Sequence, residues 1–166
     1  YERDHQDESV SEAFLWGSAL HCRLQEPAEF ERRYRPGPIN PKTGEQYGAQ
    51  TKAWSEAAEA ARADGLVLFR DSWNLDAMAA AVMRDAKTRR VLEGRTLIEA
   101  TILWRDADTG LLCKARPDNL RLDTGIFIDI KTCESAHPFE FRASCERYGY
   151  FDQVAHYTDG LKAVFG

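Results

Sequence analysis

The stretch ARPDNLRLDTGIFIDIKT, residues 115–132, places an aspartate directly after a proline, runs through an apolar segment and ends in Asp129-Ile130-Lys131. Read as a strand, GIFIDIK alternates: Ile126, Ile128 and Ile130 point to one face, and Phe127, Asp129 and Lys131 to the other. Just upstream, TLIEATILWRD (96–106) is rich in strand formers, ADTG makes a turn, and LLCKARPD (111–118) returns. This predicts a hairpin with Glu99 in its outgoing strand and Asp118 just past the end of the returning one. If GIFIDIK pairs beside that hairpin, Glu99, Asp118, Asp129 and Lys131 converge. The ordinary reading is a surface hairpin with salt-bridged charges.

Helical periodicity surrounds this β-rich centre. Phe14, Leu15, Leu20 and Leu24 recur at near-helical spacing over 11–24, and Pro27 marks a short further helical turn. RPGPINPKTGEQYG (35–48) reads as a loop long enough to cover a site or to move. AQTKAWSEAAEAARA (49–63) has high helix propensity, Asp64-Gly65 ends it, and LVLF follows as a short strand. Asn74 can cap a helix running from Leu75 to Leu92 and ended by Gly94. Two helices are predicted at about 137–147 and 150–163. The order is helices, a meander of strands, then helices. The expected class is α+β (mixed α/β), with one small central mixed sheet flanked by helices.

With 166 residues, 43% hydrophobic and 30% charged, the chain reads as one globular domain spanning 1–166, with an acidic, frayed stretch at 1–12. No apolar run approaches the ~20 residues of a membrane span, and YERDHQDESV does not read as a signal peptide. The absence of an initial methionine suggests a fragment of a longer chain. Cys22, Cys113, Cys133 and Cys145 form no C-x-x-C pair, which argues against structural zinc and a secreted disulfide scaffold; reduced thiols and a cytoplasmic setting are expected. The net charge of −5 counts mildly against a nucleic-acid partner, but RDAKTRRVLEGR (84–95) and ERRYR (31–35) are local basic clusters. Either could meet phosphates or simply face solvent. Trp16, Trp54, Trp73 and Trp104 read as core or interface residues. Without a P-loop or glycine-rich fingerprint, a nucleotide-binding enzyme has no support.

Three carboxylates in one small volume repel one another unless a cation sits among them. Hard oxygen donors suit Mg²⁺ or Mn²⁺, with water and a substrate phosphate completing the shell. Lys131 would lie near a metal-bound water, where it could hold or deprotonate a nucleophile. Phosphodiester hydrolysis fits such a set, and replacing either aspartate would then leave the fold intact or slightly more stable by relieving repulsion. Arg116, beside the Pro-Asp pair, could bind phosphate or pair with an acid.

These motifs resemble those of the PD-(D/E)xK nucleases, in the branch containing RecB-type nucleases, lambda exonuclease and exonuclease VIII (RecE-type). Pro117-Asp118 and Asp129-Ile130-Lys131 match the signature, and Gln153-Val154-Ala155-His156-Tyr157 matches that branch's Q-x-x-x-Y helix motif. Residues 17–34, GSALHCRLQEPAEFERRY, resemble the exonuclease VIII segment that carries an upstream histidine, here His21. The resemblance implies a restriction-endonuclease-like core. It makes Asp118 the central metal ligand, assisted by Asp129 and the Ile130 carbonyl, with Glu99 and His21 near a second cation or its waters. Lys131 would orient the nucleophilic water, and Gln153 and Tyr157, one helical turn apart, would touch the substrate strand or brace the site.

The implied activity is a Mg²⁺-dependent DNA exonuclease of phage-type recombination that resects the 5′-ended strand of duplex DNA. The implied partners are linear duplex ends, a single-strand annealing protein and a homo-oligomeric ring, in a bacterial or phage-infected cell. The alternatives are a RecB-like nuclease of single strands or flaps, and a non-catalytic DNA-binding or assembly module that kept the fold. Some relatives hold an iron–sulfur cluster on one upstream cysteine and three closely spaced cysteines after the Q-x-x-x-Y helix; no cysteine follows Cys145, so no such cluster is expected unless its ligands lie beyond residue 166.

Overall fold

A computed structural model describes residues 11–71, 74–133 and 135–166. The frayed stretch expected at 1–12 and the placement of Trp73 fall largely outside these residues; Ser11 and Glu12 already open the first helix. The described residues divide between Asp85 and Ala86 into two compact units.

The first unit holds α1 (Glu12–Gln25), α2 (Pro27–Arg33), β1 (Tyr34–Pro36), α3 (Lys52–Ala63), β2 (Val67–Phe69) and α4 (Leu75–Arg84). Helix starts follow the capping residues: Ser11, Thr51 and Asn74 each accept a backbone N–H from three residues on. Pro27 occupies the first turn of α2, where its missing N–H is no loss. Strands β1 and β2 pair in parallel with Tyr34 opposite Val67, and Phe30, Tyr34 and Phe69 pack their rings at 5.7–6.4 Å. The 35–48 loop, long enough to cover a site or to move, is held by hydrogen bonds. Gln46 accepts the Asp71 N–H at 2.8 Å and donates to the Gly37 carbonyl at 3.1 Å.

The second unit holds α5 (Ala86–Leu92), β3 (Thr96–Ile98), β4 (Ile102–Arg105), β5 (Leu112–Ala115), β6 (Asn119–Arg121), β7 (Phe127–Ile128), α6 (Pro138–Tyr148) and α7 (Tyr150–Phe165). The helix predicted over 75–92 is thus two, because Asp85 adopts an extended ψ of 118°; neither glycine nor proline marks that break.

The α+β class is as expected, but the strands form three small ladders: parallel β1-β2, antiparallel β3-β6-β7 and antiparallel β4-β5. The segment predicted as one strand over 96–106 is divided at Glu99, whose φ of 52° is left-handed. Its first part pairs with β6 and its second with β5. The GIFIDIK segment therefore pairs with β6, a strand the sequence reading did not anticipate, and not directly with the hairpin.

Ile102, Trp104, Ala115 and Leu120 form the core of this unit, with Cys113, Phe127, Tyr157 and Leu161 packed against them. Helix α7 lies close on β4 because Gly160 has no side chain: a Cβ there would stand 2.5 Å from the Trp104 ring. Among the described residues no helix is long and apolar enough to cross a membrane.

Gly160→Ala should therefore lower stability by about 1–3 kcal/mol through overpacking, read as a fall in Tm. An unchanged Tm would mean that α7 does not seat on Trp104 as described.

Candidate active site

The site is built at one end of the β3-β6-β7 ladder. Asn119 pairs with Ile98 on one side and with Ile128 on the other. Carrying that register one residue further sets Glu99, just past β3, Asp118, just before β6, and Asp129, just past β7, in a single row. Residues opposed in an antiparallel pair share a face, so the Asp118 and Asp129 carboxylates start on the same side. The row is closed by two hydrogen bonds. The Glu99 N–H donates to the Asp118 carbonyl at 3.0 Å, and the Ile130 N–H donates to Asp118 Oδ2 at 2.5 Å.

Lys131 Nζ lies 2.6 Å from Asp129 Oδ2, with both side chains largely withdrawn from solvent at 28% and 13% exposure. Burial pulls the Lys131 ammonium toward deprotonation. The Asp129 hydrogen bond and charge, the Asp118 charge and Tyr150 oppose that pull and win, so its pKa stands above the ordinary lysine value. Asp118 is thus close enough to act on the ammonium. The other oxygen of Asp129 accepts a hydrogen bond from Gln153 Nε2 at 3.3 Å, and the same amide donates to the Tyr157 hydroxyl at 3.0 Å. Tyr157 in turn donates to the Arg116 carbonyl at 3.3 Å and sets its ring edge-on to Phe127. Gln153 and Tyr157, four apart on α7, meet the strand layer from one helix face.

The structure brings together Asp118, Asp129, Ile130, Lys131, Gln153 and Tyr157. It ties Ile130 to Asp118 through its N–H. Glu99 departs from the expectation: its backbone is in the row, but its carboxylate reaches Arg116 Nε at 2.9 Å. The left-handed backbone at Glu99 accompanies this, and such a conformation in a non-glycine residue costs about 1–3 kcal/mol. Arg116 takes the second of its two expected roles, pairing with an acid. His21 stands partly buried on α1 of the first unit. Among the described residues no three His, Cys, Asp or Glu side chains gather into a set that could hold a metal ion. The expected convergence of three carboxylates is a convergence of two. Because Asp118 accepts the Ile130 N–H and Asp129 balances Lys131, removing either forfeits a favourable contact, which offsets the relief of repulsion expected from sequence.

Two neighbours escaped the sequence reading. Tyr150 lies beneath Lys131, with Nζ 4.9 Å from the ring centroid. Asn119 is a buried polar residue at 1% exposure whose Oδ1 has no hydrogen-bond partner. Its position directly after Pro117-Asp118 was the only available signal.

No curated protein matches the chain. A family match does exist, and it covers the whole length. Residues 1–166 match the PDDEXK-like domain of unknown function (DUF3799), a description in keeping with the Pro-Asp and Asp-x-Lys elements set together above. The chain belongs to this PDDEXK-like family.

Proposed function

We propose that this chain is a divalent-metal-dependent nuclease that hydrolyses DNA phosphodiester bonds. The observation that carries the reading is the cross-strand placement of Asp118 and Asp129 beside the Lys131 ammonium. Mg²⁺ and Mn²⁺ keep much of their water and take one or two carboxylates together with substrate phosphate. Asp118 and Asp129 fit that demand, with the Ile130 carbonyl as a third donor. An ion bound there would offset charge on the attacking and leaving oxygens.

The chain's own residues supply positioning. Lys131, paired with Asp129, is placed to donate hydrogen bonds; it orients the attacking water or steadies a phosphate oxygen. Gln153 holds the Asp129 carboxylate, and Tyr157 anchors Gln153 to the backbone at Arg116. Arg116 is half-exposed and paired with Glu99. A substrate phosphate competing for that guanidinium would free Glu99, whose backbone already lies in the row. His21 enters this reading through the resemblance alone. The finer features rest on the resemblance to the exonuclease VIII branch: action from duplex ends, resection of the 5′-ended strand, a recombination role, an annealing partner, a ring and a cytoplasmic setting.

Asp118→Ala and Asp129→Ala should each slow Mg²⁺-dependent digestion of linear duplex DNA by about a hundredfold or more, with circular dichroism unchanged and Mn²⁺ binding lost by calorimetry. Cleavage at the wild-type rate would remove the proposal. Labels on the 5′ and 3′ ends would report polarity in the same digest.

In Asp129→Asn the largest opposing charge is gone, so burial should pull the Lys131 pKa below its wild-type value, as followed by NMR of the side chain. In the wild type the stability contributed by the raised pKa is complete below the unfolded lysine value, about 10.4. It fades as pH climbs through the folded value. An unmoved midpoint in the variant would discount Asp129 as the partner that keeps Lys131 charged.

A further inference from the structure

The junction of α6 and α7 extends this site outward. Gly149, at a left-handed φ of 66°, ends α6 at Tyr148 and lets α7 begin at Tyr150. Two tyrosines therefore flank one turning residue, and their rings stack with centroids 5.8 Å apart and planes 25° from parallel. The inner ring, Tyr150, is the one beneath Lys131. Phe141 stands 6.4 Å from it on the other helix. The outer ring, Tyr148, is 61% exposed. Arg147 Cζ lies 5.5 Å from its centroid. Arg142 and Glu146 pair with each other at 3.0 Å, and among the described residues no carboxylate pairs with Arg147.

Core packing does not account for an aromatic ring left this open, and its neighbours form an ordered series: lysine, buried-side ring, exposed ring, arginine. Every nucleobase has a π-face, so an aromatic platform binds unpaired bases with little sequence preference, while an adjacent cation attracts the phosphates. A duplex keeps its base faces stacked inward and offers this surface only its outermost pair.

From the Lys131–Tyr150–Tyr148–Arg147 series we infer that the α6–α7 junction is a stacking track for unpaired nucleotides of a DNA strand leading into the Asp118–Asp129 site. The inference rests on the nuclease reading and deepens it by naming the strand form that is gripped. Tyr148 is the stacking residue, Arg147 the phosphate contact, and Lys131 is shared with the site.

The test uses the full chain carrying Asp118→Ala to block cleavage, with binding followed by fluorescence anisotropy at fixed salt on a short oligothymidylate and on a blunt duplex of equal length. Tyr148→Ala should weaken oligothymidylate binding about fivefold or more and duplex binding less than about twofold. Tyr148→Phe, which keeps the ring, should bind both as the parent does. Equal binding of the single strand by Tyr148→Ala, or equal losses on both DNAs, overturns the track. Cleavage by the unmodified protein is measured in parallel. If it cuts DNA while Tyr148→Ala binds unchanged, only the track fails; if it neither cuts nor binds either DNA, both readings fail.

Discussion

The antiparallel register of β6 against β7 is the constraint on which the rest depends. Side chains in a strand alternate with a period of two, so a slip of one residue would carry Asp129 and Lys131 to the face opposite Asp118. These strands are only three and two residues long, too short for ladder hydrogen bonds alone to hold the register firmly. The Ile130 N–H bond to Asp118 Oδ2 adds a contact outside the ladder. That bond commits one Asp118 oxygen to fixing the strands. Leu120 and Phe127, opposed across the same pair, pin the far end against Trp104 and Tyr157.

Charge at the site is balanced by pairing, not by dilution. Asp129 has Lys131 and Gln153, and Glu99 has Arg116. A buried carboxylate without such partners would be driven toward its protonated form. Pairing gives each of these carboxylates a cationic neighbour, and it presents the Lys131 ammonium as a donor. The helix α7 takes part in this directly, because Gln153 and Tyr157 reach the strands while Gly160, on the same helix, permits close approach to Trp104. Core packing and site geometry are therefore joined through one helix.

Much of this was legible from local patterns. Asn74 located the start of its helix, since a side-chain acceptor three residues ahead of an orphan N–H is a local event. The hairpin around ADTG was legible too: Thr109 donates to Asp106 through both its N–H and its hydroxyl, which holds that carboxyl below the usual range. The Asp85 break and strand β6 were not legible. Neither has a distinctive residue, and both depend on what the segment packs against. The direction of the Glu99 carboxylate was equally hidden, for alternation describes a regular strand and cannot anticipate a left-handed residue within one.

By itself, the sequence determined which chemistry was on offer. Pro117-Asp118, Asp129-x-Lys131 and the spacing of Gln153 and Tyr157 are covalent facts, and strand and helix periods sort them onto faces. Only the tertiary structure decided which members meet. It set Asp118 opposite Asp129, because cross-strand register couples residues with no local contact. It turned Glu99 to Arg116, and it laid Tyr150 under Lys131 by ending one helix and starting another at Gly149. Those outcomes arise from competition among partners distant in the chain, and a distant partner leaves no mark on local periodicity.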